Sequence, residues 1–211
     1  ARAASFGWQA KIETPMKILF PFNQGWLYAR GEHDERVPDS AFEPITLPHT
    51  NITLPHNGFD NRDYQFVSTY RKRFRLPEPQ RGRRVYLDFE GVMTSCAVTL
   101  NGHHLGEHDG GYTPFTLDVT DYIHRGENLL TVRGDSSENP DIPPNGGVVD
   151  YLTFGGIYRE ARIRMIEPFH MADDLFARTL DVMKAYPRLE VDVTVRNMSA
   201  FKQTRRLEVY F

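Results

Sequence analysis

The sequence is short of the features that mark most enzyme centres, disulfide scaffolds and membrane spans. It holds one cysteine, Cys96, among 211 residues, so no disulfide can form within it. Cys96 lies in a strand-like stretch with no low-pKa setting visible around it, which predicts a buried, inert thiol. No apolar run reaches the roughly 18 residues a helical membrane span needs. Charge of one sign is also scarce. The formal net charge is −3, too small to gather nucleic acid or an anionic membrane surface. Arg71-Lys72-Arg73 and Arg81-Gly82-Arg83-Arg84 are interleaved with acids and lack a stripe of stacking aromatics, so they read as solvated strand faces. Heptads, internal repeats and helical periodicity beyond a turn or two are missing as well.

Catalytic constellations are equally thin. Gly146-Gly147 and Gly155-Gly156 lack the spacing and following helix of a nucleotide-binding loop. Of His103, His104 and His108 on an expected hairpin, only His104 and His108 share a strand face and no third ligand joins them, so no metal site is expected. Ser95-Cys96 and Ser136-Ser137 lack a nucleophile elbow, and Asp173-Asp174 reads as surface charge. The sequons at Asn51 and Asn197 read as chance matches.

What is plentiful points one way. Aromatics make up 12% of the chain, with 14 Phe and 10 Tyr beside 16 Gly and 14 Pro, a mixture that favours short strands and turns. Residues 1–25 read as an extended lead-in with one apolar run, Ile18-Leu19-Phe20, followed by a strand over 26–29 and a polar loop over 31–40. Residues 44–61 are rich in Pro, His and Asn and hardly alternate, and long irregular stretches of this kind are often functional. A strand is expected over 70–76. Val85, Leu87 and Phe89 then alternate with polar residues, as do Cys96, Val98 and Leu100, a period of two. Asn101-Gly102 between two such runs is a strong hairpin signal, because a two-residue type I′ turn needs positive φ at both positions. Further strands are expected over 129–133 and 157–166. Glu167-Pro168 marks a boundary, beyond which 189–195 and 207–211 alternate again.

Several segments follow one another in a telling order: Leu47-Pro48-His49-Thr50, Tyr70-Arg71-Lys72-Arg73-Phe74, Leu87-Asp88-Phe89-Glu90-Gly91-Val92, Val98-Thr99-Leu100-Asn101-Gly102, Gly110-Gly111-Tyr112-Thr113-Pro114-Phe115, Gly126-Glu127-Asn128-Leu129-Leu130 and Gly155-Gly156-Ile157-Tyr158-Arg159-Glu160. Over about residues 44–166 this series resembles the sugar-binding-like N-terminal domain of family-2 glycoside hydrolases, most closely the β-galactosidase-like branch. Each segment also has a structural reason to be as it is, whether hairpin, corner or close backbone approach.

The resemblance implies an all-β chain. A galactose-binding-like jelly-roll β-sandwich, with its lead-in, would occupy residues 1–167. The first strands of an immunoglobulin-like sandwich, cut short, would occupy 168–211. Both catalytic glutamates of such a retaining enzyme lie on a C-terminal TIM barrel, so no catalytic residue is expected here and the chain alone should be inactive. One loop of the jelly roll offers a carboxylate to the sugar and to a nearby monovalent cation. The matching residue is Asp150, five positions before Gly155; a carboxylate can accept hydrogen bonds from vicinal hydroxyls. An Asn before the Tyr70 strand has a similar duty, with Asn57 and Asn61 as candidates and Asn51 ranked behind them. Leu152 stands where the family carries a Trp, leaving Tyr151 or Phe154 to stack on a sugar.

The implied partners are a β-linked glycoside, the barrel of the same chain and further copies in a homo-oligomer, with no nucleic acid and no membrane. No cofactor is expected in this chain alone, and Na+ or Mg2+ belongs with the full-length enzyme. Residues 1–15 lack a leader pattern. That suggests a cytoplasmic, bacterial-type protein, or a secreted or periplasmic one if a leader had been removed. A free-standing carbohydrate-binding module and a purely architectural or oligomerising sandwich remain as alternatives.

Overall fold

Alternation of apolar and polar residues is what a strand with one buried face requires, and the alternating runs become strands in a computed structural model that describes residues 17–58, 60, 62–76, 82–144, 151–172 and 174–204. The first ten are β1 (Ile18–Pro21), β2 (Trp26–Arg30), β3 (Glu43–Ile45), β4 (Val67–Phe74), β5 (Arg84–Phe89), β6 (Ser95–Leu100), β7 (His103–Asp109), β8 (Phe115–Asp118), β9 (Asn128–Asp135) and β10 (Ala161–Ile166). Four more follow: β11 (Phe169–Met171), β12 (Phe176–Leu180), β13 (Arg188–Asp192) and β14 (Val195–Asn197). Helical structure among the described residues is limited to one 3₁₀ turn, Asp39–Ala41. The chain is all-β.

Ile18–Met165 forms one compact unit. It is a sandwich of a six-stranded sheet, ordered β3-β2-β4-β9-β6-β7, and a four-stranded sheet, ordered β1-β10-β5-β8. Trp26, Tyr70, Val98, Leu100, Leu130 and Val132 from the first sheet share one core with Leu87, Phe89, Ile163 and Met165 from the second. Asn101 (φ 52°) and Gly102 (φ 80°) both adopt positive φ, as the β6–β7 hairpin needs. Cys96 is buried in this core, and burial pushes its thiol up to about 12, consistent with an inert group.

Three local expectations change. Ile18-Leu19-Phe20 is an integral strand: β1 pairs antiparallel with β10, Ile18 opposite Met165. The last strand of the unit begins at Ala161, because Gly156 (φ 110°) turns the chain and joins Met93 only as an isolated bridge.

The third concerns Arg71 and Lys72, which are buried and not solvated. The loop after β2 folds back across the outer face of the six-stranded sheet. Arg71 donates to Val37 O at 2.7 Å, Asp34 O at 2.8 Å and Asp39 Oδ1 at 2.7 Å, and its guanidinium lies 4.2 Å from the Phe42 ring centroid. Lys72, on the opposite face, donates to Gln24 O and lies over the Phe22 ring, and burial pushes its ammonium down.

Residues from Ile166 onward belong to a separate unit. There β11 pairs with β14 and β12 with β13, both antiparallel. The alternating run expected over 189–195 is split between β13 and β14, which join different partners.

Asp39 joins Arg71 and Arg73 in one cluster, and Arg73 first, then Arg71, hold its carboxyl below the usual range. A depressed folded-state pKa gives stability that is present above the ordinary carboxylate value near 4 and is lost as pH falls through the folded value. Asp39→Ala should cost about 1–3 kcal/mol near neutral pH, moderated because Arg71 keeps its two carbonyl acceptors. Urea unfolding should show this loss together with a shallower acid decline than the unmodified chain; equal midpoints and equal acid slopes would refute it.

Candidate functional site

Register shows which loops gather at one end of the sandwich. Val67 faces Asp135, Ser95 faces both Asp135 and Asp109, and Phe89 faces Phe115. The connections 90–94, 110–114 and 136–160 therefore leave the sheets at the same end, opposite the Asn101-Gly102 hairpin. The connection 46–66 crosses to that end from Ile45, which pairs with Trp26 at the far end, to enter β4 at Val67. Segments from four of the seven ordered motifs meet there.

The junction is stitched by backbone. His49 N donates to Ile157 O at 2.9 Å and Asn51 N to Gly155 O at 2.9 Å, while Met93 and Gly156 exchange two bonds of 3.0 and 3.2 Å. So the 155–157 segment lies between 49–51 on one side and Met93 on the other. Both glycines are required by space. A Cβ on Gly156 would lie against Tyr70 Oη and 2.8 Å from His49 O, and one on Gly155 would overlap Ser136 and Asn51. A Cβ on Gly111 would overlap Met93 in the same way, which explains why the loop reaching Tyr112 starts with glycines.

Buried polar groups complete the joint. Asn51 Nδ2 donates to Tyr64 O (2.8 Å) and Ser136 Oγ (2.9 Å), and Tyr28 Oη donates to Asn51 O (2.8 Å). His49 Nδ1 lies 3.0 Å from Tyr70 Oη. Burial raises the Tyr70 phenol and lowers the His49 imidazole, the latter opposed in part by Glu43. A protonated phenol donating to a neutral imidazole satisfies both groups. Tyr158 Oη donates to Gly111 O at 2.7 Å.

Above this joint stand exposed aromatics. Tyr112 (44% exposed) and Tyr151 (54%) bring their hydroxyls within 3.3 Å of each other, and Phe154 packs against Tyr64 at 6.0 Å between ring centroids. An amphipathic ring pair of this kind can stack on the apolar face of a sugar while its hydroxyls bond.

Of the residues singled out by sequence, Asp150 and Asn61 lie outside the described residues, as does the cation position assigned to Asp150. Asn57 is exposed in the loop ahead of β4. Asn51 is buried and its amide hydrogens are spent on the joint, which suits a structural duty. Tyr112 was missed: its Gly-Gly and Pro neighbours signal a corner, and only the fold sets its ring beside Tyr151. Among the described residues no three His, Cys, Asp or Glu side chains gather as a metal site. His108 instead bonds Gly110 O and Thr113, and His103 packs on Tyr122.

Residues 46–143 match the family model described as glycosyl hydrolase 2 galactose-binding domain-like. The chain belongs to glycoside hydrolase family 2. It is 47% identical over 161 residues to a β-galactosidase of Thermoanaerobacter pseudethanolicus, an alignment covering 74% of this chain and 22% of that protein. It is 43% identical over 173 residues to a β-galactosidase of Thermoanaerobacterium thermosulfurigenes, covering 79% and 23%. A solved structure, a calcium-binding mutant of Bacteroides uniformis β-glucuronidase 2, superposes with a TM-score of 0.76 at 28% identity, covering 86% of this chain and 23% of that one. This family-2 chain thus spans just under a quarter of the length of the curated relatives it matches. Its matched region contains the 49–51 segment, Met93 and Gly111, three of the parts that build the joint.

Two outcomes follow for the joint. Gly156→Ala should cost about 3 kcal/mol or more, since it combines a positive φ with backbone overlap. Gly126→Ala, with nothing within 4 Å of its Cβ position, should stay within about 0.5 kcal/mol; similar midpoints for both would contradict the packing account. His49, whose folded pKa is lowered, contributes stability above its unfolded value near 6.5 that falls away as pH drops below it. Thermal midpoints measured between about pH 7.5 and 5 should therefore decline, and His49→Gln should flatten that decline.

Proposed function

We propose that this chain is the non-catalytic N-terminal region of a retaining β-glycosidase of the β-galactosidase type, and that its loop end forms part of the active-site mouth. The observation that carries the reading is the convergence of the motif loops at one end of the sandwich, with the exposed Tyr112–Tyr151 pair directly after the 145–150 stretch. In this reading Asp150 accepts hydrogen bonds from vicinal sugar hydroxyls, and Tyr112 and Tyr151 flank the ring. Preference for a galactoside is supported by the higher identity to the two β-galactosidases than to the β-glucuronidase.

Hydrolysis itself is assigned to glutamates on another domain. A retaining mechanism places two carboxyls about 5–5.5 Å apart across the scissile bond, and the family resemblance puts both on the C-terminal barrel. The unit from Ile166 onward fits the opening of an immunoglobulin-like sandwich. Its exposed Met183 (98%), Tyr186 (88%), Phe176, Leu189 and Phe201 are the apolar side chains that further strands would cover. A cation beside Asp150 and a homo-oligomeric assembly belong to the same proposal for the complete enzyme.

The test is kinetic. The complete enzyme should release nitrophenol from a β-galactoside in preference to a β-glucuronide, and the 211-residue chain should release none. Asp150→Ala in the complete enzyme should lower kcat/KM by roughly 10- to 100-fold, the loss expected for a hydrogen bond to a charged group, with an unchanged thermal midpoint. Unaltered kcat/KM in that variant would reduce the loop end to an architectural part; turnover by the chain alone would overturn the division of labour.

A further inference from the structure

Asparagine followed by glycine is a pair whose backbone can react with its own side chain. Glycine has no Cβ to crowd the approach of its amide nitrogen to the preceding side-chain carbonyl, and its backbone reaches conformations that other residues resist. The sequence holds such pairs at 57–58, 101–102 and 145–146. The last lies outside the described residues. The other two differ in what holds the asparagine.

Asn101 is fixed on every side. It sits in the β6–β7 hairpin at φ 52°. Its Nδ2 donates to Tyr122 O at 2.8 Å and to Asn128 Oδ1 at 2.9 Å, and its Oδ1 accepts from Leu129 N at 2.8 Å. Its Cγ cannot swing toward Gly102 N without breaking those bonds, and each carries its own cost. Asn57 is the opposite case. It is exposed in the loop ahead of β4, and no described residue bonds its side-chain amide. Gly58 is exposed as well, and a Cβ built on it would meet nothing within 4 Å. The space in which the two groups would have to meet is therefore open.

We propose that Asn57 is a site of spontaneous deamidation in the folded protein, and that Asn101, with the same glycine neighbour, is protected by its hydrogen bonds. Gly58 N gives up its proton and attacks Asn57 Cγ. A C–N bond forms, the Cγ–Nδ2 bond breaks, and Nδ2 leaves as ammonia with the proton returned to it. The five-membered succinimide then takes up one water and opens to an aspartate or an isoaspartate at position 57. Water is the sole co-reactant, and nothing is oxidised or reduced. The net exchange is NH2 for OH. The new carboxyl ionises at neutral pH, so this one group takes the formal net charge from −3 to −4. The isoaspartate route also adds a methylene to the backbone. Either product alters the 46–66 connection, between the 49–51 part of the joint and β4.

Incubation of the full 211-residue chain in mildly alkaline buffer, followed by trypsin digestion and tandem mass spectrometry, tests this. Asn57 falls in the peptide 37–62 and Asn101 in the peptide 85–125, so the sites are read separately. A digest begun before incubation sets the background. In the folded chain, product at position 57 should build up at least about tenfold faster than at position 101. In the chain unfolded in urea the two rates should agree within about threefold, because the bonds that distinguish them are gone. Gly58→Ala should slow the reaction at Asn57 roughly tenfold in the urea-unfolded chain, where only local crowding differs. Equal rates at the two sites in the folded chain, a rate difference that persists in urea, or an Asn57 that stays intact would each overturn the proposal. None of these outcomes depends on whether the complete enzyme hydrolyses a galactoside.

Discussion

The close approach of three backbone segments at Gly155 and Gly156 sets the arrangement of the loop end. Hydrogen bonds from His49 and Asn51 on one side and Met93 on the other hold 155–157 in place, and no side chain larger than hydrogen fits at either glycine. Close-packed interiors leave little slack for such a joint. Once it is formed, the loops ahead of β4, β6 and β10 have fixed starting points, and the Tyr112–Tyr151 pair stands at a defined place above them. Buried Asn51 bonds Ser136 and buried Tyr70 bonds His49 there, so the joint is polar inside and aromatic outside.

A different kind of constraint governs the opposite face of the six-stranded sheet. Arg71 lies where an outward strand position would ordinarily meet water. It is enclosed because the loop after β2 brings two carbonyls, a carboxylate and the Phe42 ring to it. A fully buried guanidinium needs such company to offset its lost hydration.

The two surfaces therefore differ in chemistry. The loop end offers the exposed rings of Tyr112 and Tyr151. The covered sheet face offers charges paired within the chain, Arg133 with Glu32 and Arg36 with Asp34. The chain is 47% identical to a β-galactosidase of which it covers 22%.

Much of the fold was legible because strand burial writes itself as a period of two. The runs 85–89 and 96–100 and the Asn101-Gly102 turn report local backbone geometry, and local geometry depends on neighbours in sequence. The order of the motifs also made the family legible, since spacing and sequence survive in the chain itself. What the sequence left open were contacts between distant residues. Nothing near Arg71 announces that a loop some 35 residues earlier covers it, and the smooth alternation over 189–195 conceals a change of partner between β13 and β14. Tyr112 looked like a corner residue until its neighbour Tyr151, 39 positions away, was in place. Sequence by itself determined the all-β class, the hairpin and the family. Tertiary structure alone decided which polar groups are buried, which rings are exposed and which Asn-Gly pair is held by hydrogen bonds, because those depend on segments that meet only after the two sheets close over a shared core.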